Sequence, residues 1–258
     1  MSASDFPKLV GKHRMKPLLT PDVLVASLKK KVGDVPRRAV FIYLEHLTPK
    51  FVERLHLVVH ADLTRFLFNP KRTYITDRED LLVSVLPIGA PTTAIVAEEL
   101  GALGVSEFLL LGTAGGLSPT LSTGDIVLCT KAVRDEGTSH HYLADSLYST
   151  PSPELTGKLR IIIEKLGLRY RAGPTWTTDA PYMETAGEVT HYRKAGVLTV
   201  EMEASGLFAV AKKRGYKAGA VFVISDLLGE NGWSGFAKDL DRSYSQLPRI
   251  AQSFAKLD

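Results

Sequence analysis

Four consecutive apolar residues, Phe108-Leu109-Leu110-Leu111, stand between an alanine-rich stretch with helical spacing, Pro91 to Leu103, and the glycine-rich run Gly112-Thr113-Ala114-Gly115-Gly116. A strand without a polar face must be covered on both sides, which places it inside a parallel or mixed sheet flanked by helices. Further strands are predicted at 39–44, 63–68, 72–76, 81–86, 125–130, 170–177, 197–202 and 217–224. Helices are predicted at 21–31, 49–59, 153–166, 184–195, 203–214 and 236–256. This alternation predicts an α/β fold, a single-domain three-layer α/β/α sandwich around a central mixed sheet. No repeat, low-complexity tract or linker divides the chain, so residues 39–258 are read as one domain preceded by an arm, 1–38.

The arm holds the positive charge. Residues 1–40 carry nine Lys and Arg against three Asp, whereas the whole chain of 258 residues has a net charge of only +4, so the remainder is slightly acidic. Lys29-Lys30-Lys31 and Arg37-Arg38 lack interleaved aromatic residues and read as a solvated face, not as a nucleic-acid surface. The single cysteine, Cys129, excludes an internal disulfide and suits a reducing compartment; lying in a strand beside Leu128, it is expected in the core. No apolar run is long enough to span a bilayer and no signal segment is evident, so the expectation is a soluble cytoplasmic protein.

Two motifs place acidic groups at the ends of buried strands. In Val197-Leu198-Thr199-Val200-Glu201-Met202-Glu203-Ala204 a strand runs into a helix whose apolar positions continue at Leu207, Val210 and Ala211. An unpartnered carboxylate beside such an interior is costly, so Glu201 and Glu203 must meet hydroxyl or N–H donors. In Val221-Phe222-Val223-Ile224-Ser225-Asp226 an aspartate ends another strand, where open α/β sheets bind ligands; Ser-Asp is also a common helix N-cap. The glycines of 112–116 are read as a tight turn offering N–H groups to an anion or a sugar oxygen, with Thr113 adding a hydroxyl. The run is neither a P-loop nor a dinucleotide fingerprint. His140-His141 are adjacent, point to opposite faces if extended and do not make a metal site; the polar run 134–142 is expected as a loop at the mouth of the site. Trp176 and Trp233 read as packing residues, and 229–235 as a mobile loop following Asp226.

Taken in order, Leu111-Gly112-Thr113-Ala114-Gly115-Gly116, Gly124-Asp125-Ile126-Val127, Val200-Glu201-Met202-Glu203-Ala204 and Ser225-Asp226 resemble the purine nucleoside and uridine phosphorylase family and its relatives, the methylthioadenosine/adenosylhomocysteine nucleosidases. The likeness covers about residues 39–230, and Ile88-Gly89-Ala90-Pro91-Thr92-Thr93 and Thr178-Asp179-Ala180-Pro181-Tyr182 are similar to family loops. The resemblance implies phosphorolysis of a ribonucleoside, tilted towards purines, to free base and ribose 1-phosphate. Orthophosphate is then the co-substrate, and no cofactor or metal is implied. It assigns the ribose hydroxyls to Met202 and Glu203 with Glu201 alongside, the departing base to Asp226 as acid, and the base surroundings to Pro181, Tyr182 and Val200. Thr113 and Gly112 face the nucleophile. It also implies a homo-oligomer, a dimer or trimer of dimers, in which Arg72 reaches a neighbouring subunit's phosphate and His13 its ribose.

Departures accompany these matches. The family's Gly-Asp-Pro-x-Arg corresponds to Leu47-Thr48-Pro49-Lys50-Phe51, and a second phosphate arginine corresponds to Leu110. Losing two cationic forks from a dianion site keeps two other readings open. One is an N-ribosyl hydrolase using water; the other is a nucleoside-binding homologue without turnover. Lys50 is a partial substitute, and Glu45 or Glu53 a candidate to activate water. The uridine branch's Gln-x-Arg is absent after Tyr182.

Overall fold

The computed structural model describes residues 8–65, 72–229 and 232–257. Helix α1 (Pro21–Val32) leads into β1 (Arg38–Ile42) and α2 (Thr48–Leu55). An antiparallel excursion of β2 (Leu57–Val59), β3 (Thr73–Thr76) and β4 (Leu82–Val85) follows, and then α3 (Ala90–Leu103) and β5 (Glu107–Gly116). Next come β6 (Ile126–Asp135), α4 (Ser139–Tyr142), β7 (Tyr148–Ser149), α5 (Pro153–Lys165), β8 (Tyr170–Thr178), α6 (Ala186–Lys194) and β9 (Thr199–Glu201). The chain closes with α7 (Ala204–Arg214), β10 (Lys217–Gly229), β11 (Gly232–Trp233), α8 (Asp241–Tyr244) and α9 (Gln246–Ala255).

The strands form one mixed sheet in the order β11-β10-β6-β8-β9-β5-β1-β4-β3-β2, with β7 on β6. Because β10 also pairs with β5, the strands β5, β10, β6, β8 and β9 close into a ring at one end of the sheet. The expected layers are present. One face of the sheet is packed by α1, α3 and α7 through Val25, Val96 and Leu207, and the other by α2, α5 and α9 through Phe51, Leu159 and Phe254. The wholly apolar run 108–111 lies in the first half of β5, with β1 and β10 parallel on its two sides. Cys129 lies in the core. No helix among the described residues is long and apolar enough to cross a membrane.

Several boundaries differ from the sequence reading. The helix expected over 49–59 stops at Leu55, where His56 takes a left-handed conformation (φ 51°) and Leu57-Val58-Val59 pair with β3. Two adjacent β-branched residues favour the strand over a last helical turn. Residues 63–65 form a 3-10 turn in place of a strand, and 66–68 lie outside the described residues. The C-terminal helix is divided into α8 and α9. Most consequentially, the glycine run is not a turn: β5 continues to Gly116, with Gly112 to Gly116 in register with β10 and Gly115-Gly116 also paired with β9.

Candidate active site

Why Gly115 must be glycine follows from this crossing of strands. It faces Val200 of β9 on one side and Asp226 of β10 on the other, and an added Cβ would lie 2.6 Å from Leu228 Cδ1, 3.0 Å from Val200 Cγ1 and 3.4 Å from Asp226 Oδ2. Three strands therefore bring their side chains to one point. The β5–β10 register skips a residue between Ile224 and Asp226, leaving Ser225 bulged. A bulge re-aims the neighbouring side chains. Asp226 is thus mid-strand, since β10 runs on to Gly229, and the helix-cap alternative for Ser225-Asp226 does not hold.

At this crossing lies a cavity of about 640 Å³, within the usual range for small-molecule sites. Its lining includes Thr113, Gly115, Val200, Glu201, Met202, Ser225 and Asp226, together with Pro181, Tyr182 and Glu184 from the segment before α6, and Trp233 of β11. Seven of the residues singled out from sequence are therefore gathered: Thr113, Pro181, Tyr182, Val200, Glu201, Met202 and Asp226. Tyr182 stands fully exposed on the rim.

Glu201 is held by the protein itself. Parallel pairing of β8 with β9 sets Thr177 opposite Glu201, and the Thr177 hydroxyl donates to Glu201 Oε1 at 2.5 Å. Oε2 accepts from the amides of Glu203 (2.8 Å) and Ala204 (2.7 Å), closing the start of α7. The donors expected for this carboxylate are thus internal, and Glu201 is an anchor for the turn that carries Met202 into the cavity. Glu203 Oε1 accepts from the amide of Gly89 (2.7 Å), joining the starts of α3 and α7. Glu203 itself is not among the residues that line the cavity. Burial pushes both carboxyls above the ordinary glutamate range, and the Glu201 carboxylate raises Glu203 further.

Asp226 is held from two sides, with Oδ1 accepting from Ser225 Oγ (2.5 Å) and Oδ2 from Trp233 Nε1 (2.8 Å). Trp233 is therefore more than packing: it is half-exposed, stacks edge-on against Phe236 and donates to the Asp226 carboxylate. Glu184 went unrecognised in the sequence. Its carboxyl faces the same cavity with no hydrogen-bond partner among the described residues, and burial, followed by the nearby Asp226 and Glu188, raises it to about 7. The only signal was its place three residues after Pro181, in Tyr182-Met183-Glu184-Thr185. Thr185 and Glu188 form the capping box that starts α6 and fixes this segment.

Other expected site residues lie elsewhere. Gly112 sits within β5 and does not line the cavity. Arg72 lines a separate hollow of about 430 Å³ with Glu45, Thr48 and Tyr74. Lys50 pairs with Asp241 at 2.9 Å on the surface. Phe51 and Leu110, the positions where the resemblance implies arginines, are both buried in apolar clusters of the core. Among the described residues that line the Thr113–Asp226 cavity, none is Lys or Arg. His13 belongs to a larger groove, about 910 Å³, between the N-terminal arm, α3 and α7. Residues 134–142 are a scaffold and not a mouth loop: Arg134 donates to Ser139 Oγ and the Ala144 carbonyl, and Glu136 accepts from Ser205 Oγ of α7.

The family model for the phosphorylase superfamily matches residues 53–256. Guanosine phosphorylase of Halorubrum lacusprofundi is 34% identical over 163 residues, 63% of this chain and 68% of that one. Uridine phosphorylase of Thermococcus kodakarensis is 35% identical over 150 residues, 53% of this chain and 54% of that one; for uridine phosphorylase of Escherichia coli the figures are 28% over 159 residues, 56% and 63%. The alignments thus span between half and about two-thirds of these relatives' lengths. The fold is shared with the crystal structure of a uridine phosphorylase from Vibrio fischeri, at a TM-score of 0.71 and 19% identity over 86% of this chain and 89% of that one. With its sheet, its strand crossing at Gly115 and the family match across 53–256, the chain belongs to the phosphorylase superfamily.

Proposed function

We propose that the chain is a nucleoside phosphorylase that cleaves the N-glycosidic bond of a purine ribonucleoside with orthophosphate. The observation that carries this reading is the single cavity with Met202 at one part of its wall and Asp226 and Glu184 at another, in a chain whose relatives are guanosine and uridine phosphorylases. In this reading Met202 holds the ribose hydroxyls, and Glu201 and Glu203 fix the turn that carries it. Positive charge grows at C1′ as the glycosidic bond lengthens. A phosphate oxygen bonds to C1′, the C1′–N electron pair passes to the base, and Asp226 gives its proton to a purine ring nitrogen. Pro181, Tyr182 and Val200 surround the base, and Thr113 faces the nucleophile.

Glu184 supports purines, and guanosine ahead of uridine. In its ionised form the Glu184 carboxylate accepts two parallel hydrogen bonds, and guanine presents N1–H and its 2-amino group side by side. Uracil offers one N–H between two carbonyl oxygens, which a carboxylate repels. For the nucleophile, the absence of Lys and Arg among the described residues that line the cavity favours an oligomer in which a neighbour supplies Arg72. The same observation is what a hydrolytic reading would rest on.

Release of free base from guanosine, inosine, adenosine and uridine, with and without phosphate, tests the reading, with Asp226→Asn as control. Phosphate-dependent release, fastest for guanosine and strongly reduced in Asp226→Asn, is expected. Equal rates without phosphate would establish the hydrolase, and binding without release would leave only a nucleoside-binding protein.

A further inference from the structure

Trp233 has no place in the reaction just described, yet its ring nitrogen is bonded to the carboxyl proposed to protonate the leaving base. Asp226 is almost wholly buried, and its two oxygens meet one donor each: Ser225 Oγ at Oδ1 and Trp233 Nε1 at Oδ2. The indole comes from a different strand, and its strand is fixed independently of the carboxylate. Leu228 pairs with Trp233 and Gly229 with Gly232, the amide of Ser234 donates to the Leu227 carbonyl, and Ser234 Oγ accepts from the amide of Leu227. The Phe236 ring braces the indole edge-on at 5.0 Å between centroids. Gly232 and Gly235 on either side have φ of 114° and 78°, conformations that let the chain reverse tightly enough to aim the ring back at Asp226.

We propose that Trp233 is a positioning residue for the acid: its indole N–H is a fixed donor aimed at the oxygen of Asp226 on which negative charge develops when the proton passes to the base. This rests on Asp226 being the leaving-group acid. Before transfer Asp226 carries the proton. As the C1′–N bond breaks, its electron pair goes to the base, the proton moves from Asp226 to the base nitrogen, and a buried carboxylate remains. Water does not reach this carboxylate freely, so its charge is met by the two donors already in place. Donors preset where charge appears act on the transition state and not on ground-state binding. Trp233 therefore contributes to kcat for nucleosides whose base must be protonated, and contributes nothing where no proton is needed.

The test uses the full chain and compares wild type, Trp233→Phe, Asp226→Asn and the double variant. Trp233→Phe keeps an aromatic ring and deletes only the N–H; circular dichroism and thermal melting verify folding. With guanosine and phosphate, kcat is expected to fall roughly 10- to 100-fold in Trp233→Phe while KM changes less than about threefold, the size expected for loss of one donor to a charged group. In the Asp226→Asn background the same substitution is expected to have no further effect, because its route runs through Asp226. With guanosine methylated at N7, whose base already carries the positive charge, Trp233→Phe is expected to turn over at the wild-type rate. Multiplying losses in the double variant, equal losses on both nucleosides, or a change in KM alone would overturn the proposal and make Trp233 a packing or stacking residue. A wild-type chain that releases no base from any nucleoside overturns the Asp226 reading itself, and with it this one.

Discussion

Removing one hydroxyl, in Thr177→Val, is expected to destabilise the fold out of proportion to the atoms lost. The Thr177 hydroxyl serves two partners at once: it donates to Glu201 Oε1 at 2.5 Å and accepts from the amide of Ser205 at 3.1 Å, in the first turn of α7. Valine has the same shape, so no cavity opens and the change is confined to hydrogen bonding. A bond to a charged acceptor is worth about 1.5–3 kcal/mol net, and a buried N–H left without an acceptor costs about 1–3 kcal/mol. The hydroxyl of Thr175, 3.5 Å from the same Glu201 oxygen, recovers part of the first loss. A destabilisation of about 3–4 kcal/mol follows, large beside the usual effect of about 1 kcal/mol for a point substitution. Thr177→Ser, which keeps the hydroxyl, should stay within about 1 kcal/mol of wild type. Urea titration at pH 8.5, above the value of about 7 to which burial pushes the Glu201 carboxyl, with an unchanged m-value is the assay. The partner variant Glu201→Gln completes a cycle in which the two losses should fall short of additivity by more than about 1 kcal/mol. If Thr177→Val unfolds within about 0.5 kcal/mol of wild type, the reasoning that Glu201 is anchored from β8 is refuted.

Two further outcomes follow from the same geometry. Phe51→Arg puts a guanidinium into the core between α2 and the sheet; a cost of at least ~3 kcal/mol is expected, a drop in melting temperature of about 6–12 °C. A stable variant with tighter phosphate binding would show that this position faces the site after all. Glu184 titrates near 7 in the folded chain against an ordinary 4.5. Between these values the folded state binds the proton more strongly than the unfolded one, so stability falls as pH rises through this window and levels off above it. Melting curves of wild type and Glu184→Gln should therefore converge near pH 4 and separate towards pH 7 with the variant the more stable; parallel curves would contradict the burial of this carboxyl.

How far the chain could be understood without its structure depends on whether the interacting residues are neighbours in sequence. The layered α/β architecture was legible because apolar runs such as 108–111 and 81–86 cannot tolerate an exposed face, and helices such as α3 and α7 carry their own spacing and ends. The motifs 200–204 and 225–226 were legible for a related reason: acidic residues at the ends of apolar strands stand out against their surroundings. Misread segments were those where two conformations compete locally. Leu57-Val58-Val59 continues a helical pattern but finds a partner strand in β3, and Gly112 to Gly116 has the composition of a turn but is drawn straight by β10 and β9.

Residue identity and patterning alone set the fold class and the chemical groups available: carboxylates at 201, 203 and 226 and a hydroxyl at 113. What each group meets is set by how distant segments pack. Thr177 lies 24 residues before the glutamate it holds, the carboxyl of Glu184 and that of Asp226 come to one cavity from separate segments, and a bulge at Ser225 turns Asp226 towards the indole of Trp233. Strand register and a one-residue bulge set these encounters, and both arise from pairing between distant segments, for which no local pattern of residues is a record.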